Sequence, residues 1–394
     1  MELLASSQKN RSPMKVALIM GALCHARISH LYEGFDPRYE IIAVGSKKCD
    51  IGESDIKQEH RRILTLRDIL RHVPKLRHRI PWETQQYFFG FEKAMSDIGI
   101  LYPAGSAMKF AYQCIQMKRK TGVKVVVSDF ENVPLRFFHH SETRRAERLA
   151  VLHEADAIVA VLHQVKTCLL MEGIPEEKIH VIYHGVNTEK FHPAPKSKDM
   201  LGILGLSERD IAVLFIGHFG WQKGALTYLY AAKLLEMDSE VRDFPVKFIV
   251  VARGGKDFTK RAEYLGIADR VVIHERIPFE KMPQLYRCAD IVVVPSIPIF
   301  QAYEQTSNVT HEAAACGRAL VLSYTGGLPE LMGDDALYFA PADYQGLYKN
   351  LKELILDEKK REEYGRRARC RATEVLDSAI MREKTARLFD QVLG

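Results

Sequence analysis

The sequence has none of the spacings that announce the commoner chemistries. Its seven cysteines, at 24, 49, 114, 168, 288, 316 and 370, are odd in number, scattered and never at CxxC spacing. That excludes a disulfide scaffold and a zinc finger and suits a reducing cytoplasm. No apolar run approaches the ~18 residues that a membrane span requires. The opening Met1-Glu2-Leu3-Leu4-Ala5-Ser6-Ser7-Gln8-Lys9 reads as too short and polar for a signal peptide. There is no Walker A loop, and Gly21 does not open a GxGxxG fingerprint. No Asp-x-Asp is present, and His139, His140 and His153 have no metal-ligand partners at recognisable spacing. Aromatics are not interleaved in the one strongly basic stretch, so nucleic-acid binding ranks last.

What is present is an ordinary globular composition, 47% hydrophobic and 27% charged over 394 residues, long enough for two or three domains. Short β-branched runs alternate with amphipathic stretches. Candidate strands are Val16–Met20, Ile41–Val44, Val123–Val127, Ala157–Val161 and Ile179–Tyr183. After a proline-containing linker (192–199) they resume at Ala212–Ile216, Val246–Val251, Arg270–Ile273, Asp290–Val294 and Ala319–Leu322. Apolar runs of this length, separated by helices, read as strands buried on both faces of parallel sheets. The expectation is two doubly wound α/β halves, 1–195 (with 1–13 a disordered tail) and 196–376, followed by a last helical segment over 377–394. Two such halves facing each other would place a ligand cleft between them.

Three stretches carry candidate chemistry. In Glu304-Gln305-Thr306-Ser307-Asn308-Val309-Thr310-His311-Glu312 a strand has ended at Pro295, and a helix is expected to begin with Asn308 as N-cap and stop at Gly317. The N–H groups around Thr306, Ser307 and Asn308 suit a phosphate, and a carboxylate suits a vicinal diol. Taken alone, Glu304 could equally be a solvated loop residue and Glu312 a helix-dipole partner. Gly217-His218-Phe219-Gly220-Trp221-Gln222-Lys223-Gly224 lets backbone approach a ligand and brings one ammonium group. It could also be a helix start with an incidental lysine. His184-Gly185-Val186-Asn187-Thr188-Glu189-Lys190-Phe191-His192-Pro193 reads as a strand-end turn with Phe191 as a plug.

In this order these stretches resemble the retaining GT-B glycosyltransferases of family GT4. Glu304-x7-Glu312 is similar to the family's EX7E motif, and Gly217…Lys223-Gly224 to its phosphate loop. Gly185-Val186-Asn187-x-x-x-Phe191-x-Pro193 is similar to its GVDxxxFxP signature, and Gly326-Gly327-Leu328-Pro329-Glu330 to its GGxPE turn. The resemblance implies two Rossmann-like domains of a GT-B fold, with the last helix crossing back to the N-terminal one. It implies a UDP- or GDP-sugar donor, with Glu312 on the ribose, Lys223, Gly217 and His218 at the diphosphate, Glu304 on the donor sugar, Ile277 near the base and Gly21 closing over the phosphates. The acceptor, a glycan, lipid-linked or small molecule, would belong to the N-terminal half, where Asp129, Arg67 and Arg71 are candidates. No cofactor and no metal are expected, because Lys223 and a helix N-terminus supply positive charge. The sequence departs from the family at His218 in place of Arg, Ser128-Asp129 in place of His-Asp, and Asn187 in place of Asp. A sugar-nucleotide epimerase and a nucleotide-sugar-binding protein with little or no transfer therefore stay as alternatives.

Charge bears on partners. Residues 1–195 carry 28 Lys+Arg against 22 Asp+Glu, and the remainder 28 against 28, so all of the +6 excess lies in the first half. Residues 61–79 alone hold Arg61, Arg62, Arg67, Arg71, Lys75, Arg77 and Arg79 against Asp68. A helix over this stretch would gather Ile63, Leu66, Ile69, Leu70 and Val73 on one face opposite the bases, with Pro74 ending it. The favoured reading is a helix packed on its sheet with a solvated basic face. The alternative is peripheral docking of a cytoplasmic protein on an anionic inner-membrane face.

Overall fold

The computed structural model describes residues 12–22, 30–48, 59–136, 141–252, 254–299 and 303–394. The expected tail up to residue 11, the loop that follows Ala22, Cys24, Cys49 and the His139–His140 pair lie outside the described residues. The chain divides into two units, one of residues 1–183 with 379–394, the other of 184–378. Residues 184–195, which close the first half in the sequence, thus cluster with the second unit.

The first unit holds a seven-stranded sheet of β1 (Met14–Gly21), β2 (Tyr39–Ser46), β3 (His60–Ile63), β4 (Ile100–Pro103), β5 (Lys124–Asp129), β6 (Ala157–Ala160) and β7 (Ile179–Val181). The order is β3-β2-β1-β4-β5-β6-β7. The second holds β8 (Ile211–Ile216), β9 (Val246–Val251), β10 (Val271–His274), β11 (Ile291–Val294), β12 (Ala319–Ser323) and β13 (Leu337–Phe339), ordered β10-β9-β8-β11-β12-β13. Every pairing is parallel. The expected pair of doubly wound α/β halves is what the chain forms. In each sheet the order reverses once, between β1 and β4 and between β8 and β11. Ligands of such sheets sit beyond the carboxyl ends of strands at that reversal.

The last helix, Ser378–Leu393, supplies core to the first unit. Phe389 is fully buried in an aromatic cluster, its ring 5.5 Å from both Tyr39 and Tyr102. One turn end is clamped by Asp390, which accepts from Tyr39 Oη at 2.6 Å and from Arg38 at 3.0 Å.

The basic stretch does not fold as the single amphipathic helix the wheel suggests. His60–Ile63 is edge strand β3. Thr65 then starts a fresh helix, Leu66–Leu70, through a reciprocal capping box with Asp68. A separate turn, Pro74–Arg77, follows after Val73 takes a non-helical conformation, as the residue before proline tends to. Ile63 and Leu70 are buried, whereas Ile69 and Val73 face solvent. Among the described residues no helix is long and apolar enough to cross a membrane.

Candidate active site

The reversal point of the second sheet gathers the motif residues. Beyond β8 the chain makes the loop Gly217–Gly224, tied at its root by Gly217 N–H donating to Val251 O at 3.0 Å. Lys223 ends a single turn, Trp221–Lys223, and Gly224 follows in the left-handed region (φ +66°) and opens the helix Ala225–Met237. A Cβ at Gly224 would stand 1.8 Å from the carbonyl oxygen of Pro295, so this loop and the one beyond β11 meet at a distance only glycine allows. A second tie, Ile297 N–H to Gln222 O at 2.8 Å, holds the same two loops together.

Glu304 lies where they meet. Its Oε2 accepts from Lys223 Nζ at 2.9 Å and from Ser296 Oγ at 2.6 Å. Ser296 in turn accepts Ser323 Oγ on its carbonyl at 2.6 Å. The backbone of Glu304 is fixed from its other side. Gly327 N–H donates to Glu304 O at 2.9 Å, and a Cβ on Gly326 (φ +55°) would lie 1.9 Å from that oxygen. The Gly-Gly-x-Pro-Glu turn is thus the seat on which Glu304 rests, and the helix Leu328–Met332 starts from it with Pro329 in its first turn.

The helix Asn308–Ala315 begins one residue earlier than the sequence suggests: the N-cap is Ser307, whose Oγ accepts from Thr310 N, and Asn308 is the first helical residue. Its first N–H groups have no intrahelical partners and carry the positive end of the dipole. Glu312 is almost wholly buried, with Tyr286 Oη donating to its Oε2 at 2.9 Å. His311 is completely buried and hydrogen-bonded through Nδ1 to Ser307 O at 2.7 Å. Burial lowers its pKa to about 4, against a smaller opposing effect of the Ser307 carbonyl. The imidazole is therefore neutral, with Nδ1–H as donor.

The 184–193 stretch is structural. Gly185 sits so close to Ser378 that a Cβ would fall 2.6 Å from its Cα. Val186 bridges to residues 376–378 by Val186 N–H to Leu376 O (2.8 Å) and Ser378 N–H to Val186 O (2.9 Å). Asn187 Oδ1 accepts from the N–H groups of Glu189 and Lys190 at 3.1 and 2.9 Å, a turn-capping task that Asn performs as well as Asp. Phe191 is buried against Tyr286, which carries the bond to Glu312.

His218 is exposed, its ring beside Gly220, and Ile277 is half-buried in the loop after β10. Thr306 is half-buried at the foot of the Ser307-capped helix. Gly21 ends β1 with φ +57°, where a Cβ would meet Gln86 Oε1 at 2.6 Å, and that oxygen accepts from Ala22 N–H. Asp129, a candidate on the acceptor side, is the last residue of β5 and fully buried, accepting from Ser106 Oγ at 3.0 Å and pairing with Arg148 at 3.2 Å. Arg148 also pairs with Glu172. A carboxylate so satisfied by protein groups is a structural anchor. Arg67 lies 4.0 Å from the Trp82 ring, and exposed Arg71 donates to Lys48 O. Sequence reasoning missed Tyr286, Ser296, Ser323 and His311. None falls in a motif position with a polar role, and each shows itself only through a three-dimensional partner.

Comparisons with known proteins agree with this geometry. Residues 210–357 match the model of glycosyl transferases group 1, and residues 52–190 that of glycosyltransferase family 4. The alpha-maltose-1-phosphate synthase of Mycolicibacterium smegmatis is 27% identical over 267 residues, 62% of this chain and 65% of that protein. The D-inositol 3-phosphate glycosyltransferase of Thermobifida fusca is 31% identical over 169 residues, 41% of this chain and 38% of that protein. The chain thus spans between 38 and 65% of the length of these curated relatives. Solved structures share the fold over nearly its whole length. Sucrose-phosphate synthase from Thermosynechococcus elongatus has a TM-score of 0.73 at 17% identity, covering 96% of this chain and 99% of that one. Anabaena HepE in complex with UDP-glucose has 0.73 at 18%, covering 96% and 100%. The fold is GT-B. One stretch in each half of the chain thus matches a glycosyltransferase family model, and the chain resembles GT4-like, group 1 glycosyltransferases.

Proposed function

We infer that the protein is a retaining glycosyltransferase that moves a sugar from a nucleoside-diphosphate sugar to an acceptor hydroxyl, in the synthesis of a glycan, glycolipid or cell-surface polysaccharide. The observation that carries this reading is the Lys223–Glu304 pair, seated at the carboxyl ends of β8 and β11 beside the Ser307-capped helix. Two relatives named as glycosyltransferase or synthase, and a neighbouring fold holding UDP-glucose, support the donor class.

Breaking a sugar–phosphate bond builds negative charge on the departing diphosphate and positive charge on the anomeric carbon. A fixed ammonium group and a helix N-terminus stabilise the first without reorganising in the transition state. Lys223 is held in place by Glu304, so it presents one preset charge, while the Glu304 carboxylate orients the donor sugar. Glu312, its plane set by Tyr286, takes the ribose diol, and Gly217, His218, Thr306, Ser307 and Asn308 line the phosphate path. Ile277 meets the base. In this reading the first unit binds the acceptor, no metal takes part, and the protein works in a reducing cytoplasm. Five described cysteines are free thiols, in keeping with that compartment.

The test is a panel of UDP, GDP, ADP and their sugars, followed by transfer assays with the best donor. A ligand at 100 times its Kd stabilises by ~2.7 kcal/mol, a shift easily read in melting temperature. Glu304→Gln and Lys223→Ala are each expected to lower turnover at least ~100-fold. Excess chelator is expected to leave it unchanged, and the product is expected to keep the donor's anomeric configuration. Inversion of that configuration, or full activity in both variants, sinks the reading.

A further inference from the structure

The residues between β3 and β4 form a surface that the transferase chemistry does not use. Arg61, the first base of the stretch, is neutralised by Asp97 at 2.6 Å and Glu59 at 3.1 Å. Asp68, the one acid, is buried and spent on Thr65 and Ser46. From residue 69 to 82 there is no acidic residue at all. The next one, Glu83, is paired with Arg144. Among the described residues none of Arg71, Lys75, Arg77 and Arg79 forms an ion pair with a carboxylate. Arg67 records the crowding: burial first, then Arg77 and Arg71, lower its pKa.

Apolar side chains stand among these bases. Ile69, Val73 and Leu76 are 43, 47 and 46% exposed, and they follow one another at intervals of four and three residues along linked turns. Two of the three belong to the set that a helical wheel assigns to the core. The capping box at Thr65 and the break before Pro74 turn them outward instead. Single exposed apolar residues need no explanation, but three successive ones, interspersed in the sequence with cations that pair with no carboxylate of the described residues, do. Trp82, stacked under Arg67, lies at the edge of the same surface.

We propose that this surface, Ile69 to Arg79 with Trp82, docks the protein on an anionic phospholipid bilayer. The apolar residues enter the headgroup boundary and the bases meet the lipid phosphates. That combination of shallow apolar insertion and clustered cations fits a membrane surface, whereas a soluble polyanion would use the charge alone. The proposal stands independently of the donor site.

Sedimentation of the full chain with phosphatidylcholine vesicles, with and without phosphatidylglycerol, tests it. Binding is expected only with phosphatidylglycerol and is expected to weaken with salt. The double variant Lys75→Gln/Arg79→Gln is expected to lower the partition coefficient about 25-fold, at about fivefold per charge. Ile69→Ser/Leu76→Ser is expected to weaken vesicle binding while leaving retention on heparin unchanged. Amide exchange in the unmodified protein, slowed over residues 69–79 by anionic vesicles, gives a readout that needs no variant. Equal binding to neutral vesicles overturns the proposal. So does heparin retention without vesicle binding, which would identify a soluble polyanion as the partner.

Discussion

Glu304 and Glu312 share a motif but live in different surroundings. One is a loop carboxylate tied to an ammonium and a serine hydroxyl, the other a buried helical carboxylate tied to a phenol. Sequence spacing is enough to mark both, since the residue types and the glycines around them are local signals. Their partners come from positions 223, 286 and 296, so the sequence gives no clue to which oxygen is held by what. His311 is the clearest case. It looks like a helix-surface histidine but is buried with its pKa lowered to about 4. An unfolded histidine titrates near 6.5, so between these values the unfolded chain binds the extra proton. Its contribution to stability is complete above pH ~6.5 and is lost as pH falls toward 4, a span on the order of 3 kcal/mol. Denaturant titrations of His311→Leu at pH 7 and pH 4.5 are expected to show a smaller acid loss than the parent. An equal loss would locate the acid sensitivity elsewhere.

At the scale of elements, the loops beyond β8 and β11 act as one piece because Gly224 lets them touch. Gly224→Ala forces a Cβ into the Pro295 carbonyl at a positive φ. Roughly tenfold weaker donor binding is expected, measured by calorimetric titration, with the sheet intact by circular dichroism. Unchanged affinity would mean that the loops move apart at no cost to the site. Long apolar strands such as β1, β5, β8 and β9 were legible as continuous runs. β3, β4 and β13 were not: His60-Arg61-Arg62-Ile63 is a charged edge strand, Ile100–Pro103 ends in proline, and Leu337–Phe339 is only three residues long. The basic helix was misjudged for a related reason. Helical periodicity says nothing about Thr65 and Asp68 restarting the helix, and that restart decides which side chains point outward.

For the whole molecule, the two units should respond to different perturbations. Phe389→Ala removes a fully buried ring from the first unit, at about 3–5 kcal/mol. In scanning calorimetry it is expected to lower the transition of that unit, while a bound donor is expected to raise that of the second. A single transition shifted equally by both would show that the units unfold together. The seating of Phe389 against Tyr39 and Tyr102 has a consequence for biosynthesis. On the ribosome, the unit begun first is finished last, because its aromatic cluster stays open until the helix ending at Leu393 has emerged. The unit encoded in between is contiguous and has all its strands by residue 339. A nascent chain released early would therefore carry a complete second unit while the first still exposes an apolar seam, the form that chaperones and proteases engage.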